Sequence, residues 1–383
     1  MLTSSPTQQL DTLLELSIAD FDIPDDVRRI AEQRYRDVGD WLADYYDGNA
    51  ADGVIYPQGS FLLGTVVQPI LNNCEYDIDL VCRRDLPKSS VTQAELKQSV
   101  GTALCSYVSS SPAGTPTQAE SKRCWTLNYP HEPFHMDVLP AIPDADATPN
   151  AILITDRELR NWQHSNPLDY AKWFEGRMAR EFAEARAVLA KRMDVDDVPD
   201  WNVKTTLQRT VQALKRHRDL YFEQRPDDRP ASIIITTLAA RAYDGAGELN
   251  EVLVDTTSRM PGLIERRDGV WWVPNPIREK ENFADRWEGR PTRAEAFFRW
   301  IEQAHADFAG FGADAGVDRV VRKLAESFGE RSAKRAGASY ATSLSETRDR
   351  GKLGMAAGTG MLGAASKSKA AIPSHTFHGD PEG

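Results

Sequence analysis

The sequence predicts an α+β chain, with a mixed sheet flanked by helices, then an α-helical second half and a flexible C-terminal tail. Three observations predict it. Two strand-like runs, Glu75 to Cys82 and Phe134 to Ile142, lie in the first half. Apolar residues at helical spacing mark Pro24 to Tyr46 and several segments between Leu207 and Phe308. Beyond about Phe328, large apolar residues give way to Gly, Ala, Ser and Lys. The expected domains are a core over 1–195 that includes a long N-terminal helix, a helical domain over 196–328, and a tail over 329–383.

Taken in order, Pro24 and two aspartates suit the first turn of a helix reaching Tyr46, with Val27, Ile30, Tyr35, Val38, Trp41, Leu42 and Tyr45 as its buried stripe. After Asp52 and Gly53, the apolar run Val54 to Tyr56 leads into Gln58, Gly59 and Ser60, and then into the acidic strand. A helix over Gln93 to Val108 buries Leu96, Val100, Leu104 and Tyr107. Arg123 to Tyr129 and Phe134 to Ile142 read as strands joined by the turn Pro130 to Pro133. A charged helix covers Tyr170 to Arg192, and the acidic loop Asp194 to Asp200 reads as a boundary. The next helix carries Leu207, Val211 and Leu214 beside Lys204, Arg209, Lys215, Arg216, His217 and Arg218, a pattern open to a solvated basic face or to an anion cleft. Ser232 suits the N-cap of a buried helix over Ile233 to Ala240, and a last amphipathic helix covers Arg293 to Phe308.

With 383 residues and 41% apolar content the chain can bury a substantial core. Its net charge of -11 excludes a chain-wide basic field for nucleic acid duplexes. Its four cysteines show no metal-ribbon spacing. The N-terminus lacks a basic region followed by an apolar core, and no stretch is long enough to cross a bilayer, so a cytoplasmic protein without a membrane partner is expected.

The chemistry concentrates between Gln58 and Asp137. Alternation over Glu75 to Cys82 puts Asp77 and Asp79 on one strand face and Ile78 and Leu80 on the other. Two carboxylates so placed repel unless water bathes them or a cation lies between them, and the usual cation for such oxygens is magnesium. Gly59 allows close backbone approach to a ligand, and Ser60 suits the cap of a short helix facing a phosphate. Asp137, on the second strand of the hairpin, would face the pair. His135 shares its strand face, a position open to a metal role and read first as that of a hydrogen-bonded rim histidine. Each feature alone has an ordinary structural reading: a turn, a solvated edge, a surface acid.

In order, Gly59-Ser60, Asp77 and Asp79, then Asp137 resemble the signature of polymerase-beta-like nucleotidyltransferases. With the early helix and the helical second half, residues 20 to 310 look like the CD-NTase family, the bacterial relatives of cyclic GMP-AMP synthase and oligoadenylate synthase. The run from Asn275 and Pro276 through Glu281 to Trp287 adds to the likeness and is assigned no chemistry.

The resemblance implies a polymerase-beta-like core and a helical domain closing a nucleotide cleft. ATP and other ribonucleoside triphosphates would be its substrates. Two magnesium ions, or manganese, would be held by Asp77, Asp79 and Asp137 some 3.5 to 4 Å apart. It further implies nucleotide contacts from Gln58, Gly59 and Ser60, and triphosphate contacts from Lys215 and Ser232. The expected product is a cyclic oligonucleotide second messenger of anti-phage defence, formed with release of pyrophosphate. The gap from Ser60 to Asp77 is longer than in the minimal pattern. The zinc-binding insertion of the animal DNA sensor is absent, which argues against double-stranded DNA as activator. Two alternatives stand beside this reading: a nucleotidyltransferase modifying protein or RNA, as an AMP-transferring toxin or RNA 3'-end extender, and a silent nucleotide-binding scaffold. Some relatives have their C-terminal glycine joined to a target by ubiquitin-transfer-like enzymes, which makes Gly383, beyond Phe377 on a Gly-rich tether, a candidate for such conjugation.

Overall fold

The computed structural model of the chain describes residues 6–46, 55–70, 75–111, 116–155, 161–193, 203–245, 247–312, 316–356, 362–364 and 369–371. It divides into two compact units, one of residues 22–208 with 274–282, the other of 1–21, 209–273 and 283–383. This division departs from the boundary expected near 195: the first unit runs to 208 and takes in 274–282, and the first helix, α1 (Pro6–Ala19), belongs with the second unit.

The first unit is built on a sheet. It opens with α2 (Asp25–Tyr45), where Pro24 occupies the N-cap and Asp25 and Asp26 oppose the positive end of the helix dipole. Val38 and Leu42 are fully buried, whereas Ile30 and Tyr45, expected in the same stripe, are exposed because the core touches a narrower face. β1 (Ile55–Pro57), the single turn α3 (Gly59–Leu62) and β2 (Tyr76–Arg83) follow. α4 (Gln93–Ser110) starts with a capping box, in which Glu95 N–H donates to Thr92 Oγ1 and Thr92 N–H to the Glu95 carboxylate. Then come β3 (Thr117–Glu120), β4 (Trp125–Asn128), β5 (Phe134–Pro143), β6 (Ile152–Ile154), β7 (Gln163–Ser165) and α5 (Pro167–Met193). The boundary loop expected over 194–200 lies outside the described residues.

Seven strands form one mixed sheet in the order β1-β2-β5-β4-β3, with β6 paired to β5 and β7 to β6. Among the described strands of this sheet, β2 and β5 are the pair that runs parallel. Ile78, Leu80, Leu127, Met136 and Val138 pack on Val38 and Leu42 of α2 and on Val100 and Leu104 of α4, so one face of the sheet is covered by these two helices. β4 is fastened to α4 through Trp125, whose Nε1 donates to the Lys97 carbonyl at 2.8 Å. The indole fits because Gly101 has no side chain; a β-carbon there would lie 2.3 Å from the ring.

The second unit is helical. α6 (Thr206–Tyr221) begins in the first unit and carries the chain into this one. α7 (Ser232–Ala242), α8 (Leu249–Arg259), the hairpin of β8 (Glu265–Arg267) and β9 (Val270–Trp272), α9 (Thr292–Ala309), α10 (Val317–Phe328) and α11 (Glu330–Asp349) follow. β10 (Leu353–Ala356), β11 (Leu362–Ala364) and β12 (Lys369–Ala371) form a small sheet. α1 lies against α8, α10 and α11, burying Leu10, Leu13, Leu14 and Ile18.

One of the two readings left open for α6 is excluded here, and the expectation of a flexible tail is corrected. The basic residues of α6 do not form a solvated face: Arg209, Lys215, Arg216, His217 and Arg218 are all buried. Arg216 stacks on Phe21, and His217 accepts from Trp300 Nε1 at Nδ1, which leaves Nε2 to donate to Asp307 at 3.0 Å. The tail expected from residue 329 is helical over α11, where Ser332, Ala333 and Ala336 are small enough for close helix contact and Tyr340 fills the remaining space. Residues 372–383, with Phe377 and Gly383, lie outside the described residues. Among the described residues no helix is long and apolar enough to cross a membrane.

The Asn-Pro and Glu-Asn-Phe run has a structural explanation. Asn275 is buried and closes a loop on Glu281 twice, through its backbone N–H to the carbonyl at 3.0 Å and its Nδ2 to the carboxylate at 2.9 Å. Trp287, farther along, packs on Phe297 in the helical unit.

Candidate active site

The alternation of β2 turns Tyr76, Ile78 and Leu80 into the core and leaves Asp77 and Asp79 on the opposite face. β5 alternates likewise, with Met136 and Val138 inward and His135 and Asp137 outward. The parallel register sets Asp79 beside Asp137 and Asp77 beside His135. Residues nearly sixty positions apart thereby share one rigid patch of sheet.

The electrostatics follow from this crowding. The Asp77 carboxyl is held above the usual carboxylate range, first because protein on one side removes water from it, then because Asp137 repels its charged form; His135 opposes both. His135 itself lies between two acids, Nδ1 at 3.2 Å from Glu75 and Nε2 at 3.6 Å from Asp77, as a rim histidine would. Asp137 Oδ1 accepts a 2.6 Å hydrogen bond from Thr126 Oγ1. The Cys124 thiol is pushed up to about 12, mainly by burial and further by Asp137, to which it hydrogen-bonds.

The Gly-Ser turn stands directly beside this patch. Gln58 N–H donates to the Asp79 carbonyl at 2.9 Å, which continues the β1 to β2 pairing to the foot of α3. Gln58, and not Ser60, is the N-cap of that turn; Ser60 lies within it, where its carbonyl accepts from Thr65 N–H at 3.0 Å. The exit of the turn is clamped from the start of α6: Gln208 Nε2 donates to the Leu63 carbonyl at 3.0 Å and Lys204 Nζ to the Gly64 carbonyl at 2.8 Å. Lys204 also pairs with Asp22.

Carboxylate oxygens on a rigid sheet suit magnesium or manganese. Among the described residues no three acids, histidines or cysteines converge into a ready-made metal cluster. Magnesium is ordinarily held by one or two carboxylates together with substrate phosphates, so a ready-made cluster of three protein ligands is not required. The donor set fits such an ion in the hardness of its oxygens and in the like-charge repulsion between Asp77 and Asp137, which His135 only partly offsets.

Lys215 and Ser232 belong to the helical unit. Lys215 is buried in the middle of α6. Ser232 is the first residue of α7 and not its cap, a place taken by Ala231. Its hydroxyl accepts from Arg218 Nη1 at 2.8 Å, so its own proton is free to donate elsewhere. It opens on a cavity of about 320 Å³ that Arg218, Arg229, Arg286 and Arg293 also line.

Thr126, Lys204 and Gln208 were not singled out as site residues from sequence. Thr126 looks like any β-branched strand residue, and the other two act on backbone carbonyls, which leave no mark in sequence.

Residues 11–177 match the model of the Second Messenger Oligonucleotide or Dinucleotide Synthetase domain. A c-di-GMP synthase of Roseivirga ehrenbergii is 30% identical over 351 residues, covering 90% of this chain and 91% of that protein. The cyclic dinucleotide synthase CdnG of Bradyrhizobium diazoefficiens is 25% identical over 347 residues, covering 84% and 81%. The structure of that CD-NTase in complex with GTP superposes with a TM-score of 0.69 at 21% identity, covering 87% of this chain and 99% of the other.

Proposed function

The chain belongs to the bacterial CD-NTase family and is a nucleotidyltransferase that synthesises cyclic oligonucleotides, and from that premise we propose that it closes a cyclic dinucleotide with GTP as a substrate. The observation that carries this reading is the register of Asp79 with Asp137, which faces the β2 acids toward a third one beside the Gly59-Ser60 turn. The names of the two relatives, one a c-di-GMP synthase and the other bound to GTP, support the choice of guanine nucleotide.

Asp77, Asp79 and Asp137 are the residues that would hold two magnesium ions, with manganese as the substitute. When bound, the ions supply charge neutralisation for the triphosphate and lower the pKa of the attacking ribose hydroxyl. The chain's own residues do the rest. Gly59 keeps the turn free of a side chain where the nucleotide approaches, and the Gln58, Gly59 and Ser60 segment offers backbone and hydroxyl donors to phosphate oxygens. In the helical unit, Lys215, a compact cation, and Ser232, a hydroxyl donor, are the residues proposed to contact phosphate. Each transfer forms one phosphodiester bond and releases one pyrophosphate, so two transfers close a dinucleotide ring. As part of the same proposal, the product is read as a second messenger of anti-phage defence, a reading that the likeness to cyclic dinucleotide synthases supports.

The test is incubation of the purified chain with the four ribonucleoside triphosphates and magnesium, with products identified by mass spectrometry. A guanine-containing cyclic dinucleotide is expected. Linear or protein-linked nucleotide as the only product would overturn the proposal.

A further inference from the structure

We propose that Thr126 is a positioning residue for Asp137, fixing the carboxylate so that it can serve as a metal ligand. The inference rests on the reading of Asp137 as such a ligand. The two residues face each other directly in the antiparallel register of β4 and β5. The Thr126 hydroxyl donates to Asp137 Oδ1 at 2.6 Å, a length typical of a strong bond from a hydroxyl to a carboxylate. An Asp side chain on an open sheet face has two free torsions, and a bond of this kind removes most of that freedom. Thr126 is itself held still. As a β-branched residue it has a restricted χ1, and its neighbour Trp125 is locked to α4 by the bond to the Lys97 carbonyl and by the space that Gly101 leaves.

Lys97 also holds the turn between β3 and β4 at the Trp125 end, where Glu120 pairs with Trp125. Its ammonium group, nearly all buried, donates to Glu120 at 2.7 Å and to the Ser121 carbonyl at 2.6 Å. The Cys124 thiol adds a second contact to Asp137 from the same segment. β4 therefore works as a bracket whose inner side aims one carboxylate. Outer partners of metal ligands commonly change metal affinity about 10- to 100-fold.

The experiment compares Thr126→Val, Thr126→Ala and Thr126→Ser in the full chain. Two quantities are read: Mn²⁺ affinity of the protein alone by isothermal titration, and the magnesium concentration for half-maximal turnover at saturating GTP. Val and Ala should each weaken both by roughly tenfold or more, with the melting temperature and the KM for GTP near wild type, whereas Ser should recover wild-type affinity. Wild-type metal affinity in the folded Val or Ala variant, or a Ser variant as weak as Val, would overturn the proposal. Asp137→Asn serves as the control: if it loses metal while Thr126→Val does not, the positioning role alone fails. If Asp137→Asn binds Mn²⁺ and turns over normally, the reading of Asp137 fails.

Discussion

Gly59 backs onto Asp79: a β-carbon at Gly59 would stand 2.6 Å from Asp79 Oδ2, and the glycine holds φ +61°, where side chains are disfavoured. The turn and the acidic strand are thus fitted to each other. Gly59→Ala should cost about 1 kcal/mol from backbone conformation and should push the Asp79 carboxylate out of line. A displacement near 1 Å at a reacting centre costs on the order of 100-fold in rate. The expected outcome is a small drop in melting temperature beside a loss of turnover of that order; equal, modest changes in both would show that the contact is only steric.

Asp77 gives a prediction of opposite signs for stability and activity. Its native pKa lies above 3.8, so the folded chain binds this proton more tightly than the unfolded one. Stability contributed by the group is therefore present below 3.8 and is lost as pH rises through the raised native value. At neutral pH the metal-free protein should be stabilised by Asp77→Asn, by a few degrees at most, with the difference shrinking toward acid. Product formation should fall by about 100- to 1000-fold, and likewise for Asp79→Asn and Asp137→Asn. A calorimetric pH series on metal-free protein and a product assay check the two halves separately.

The legible part of the site was local. Period-two alternation around Ile78 exposes Asp77 and Asp79 without any tertiary information, and the Pro130 to Pro133 turn announces the hairpin that carries Asp137. That Asp137 faces the β2 acids was expected from sequence; its exact alignment with Asp79 was not, since it depends on a parallel pairing whose register no short-range pattern sets. The clamp around the start of α6 was opaque for another reason: Gln208 in its first turn and Lys204 just before it bind the carbonyls of Leu63 and Gly64, and any residue there would present the same groups. Composition misread α11, because Gly, Ala, Ser and Lys are the residues of flexible linkers and equally of helices that pack closely.

The clamp on the Gly-Ser turn leads to a third prediction. Lys204→Met removes the ammonium group from both the Gly64 carbonyl and Asp22 while keeping the aliphatic stem. The turn should loosen, raising the KM for GTP by roughly fivefold, about 1 kcal/mol for a lost hydrogen bond. Lys215→Met should raise it more, about 10- to 100-fold, if its charge meets the triphosphate directly. Nucleotide titrations on both variants rank them, and the reverse order would remove Lys215 from the phosphate site.

The last prediction concerns α11, which composition marks as a tail. Tyr340 is 2% exposed, and its hydroxyl accepts from Gln9 Nε2 at 3.0 Å, so the ring joins the C-terminal helix to α1. Removing a buried aromatic ring leaves a cavity and costs about 3 to 5 kcal/mol. Tyr340→Ala should therefore lower the first unfolding transition by roughly 6 to 20 °C. Tyr340→Phe keeps the ring and loses only the bond to Gln9, about 1 kcal/mol. Were α11 a loose appendage, both variants would melt with the wild type. The graded series, wild type above Phe above Ala, is what a packed helix requires, and thermal scans of the three proteins in one buffer decide it.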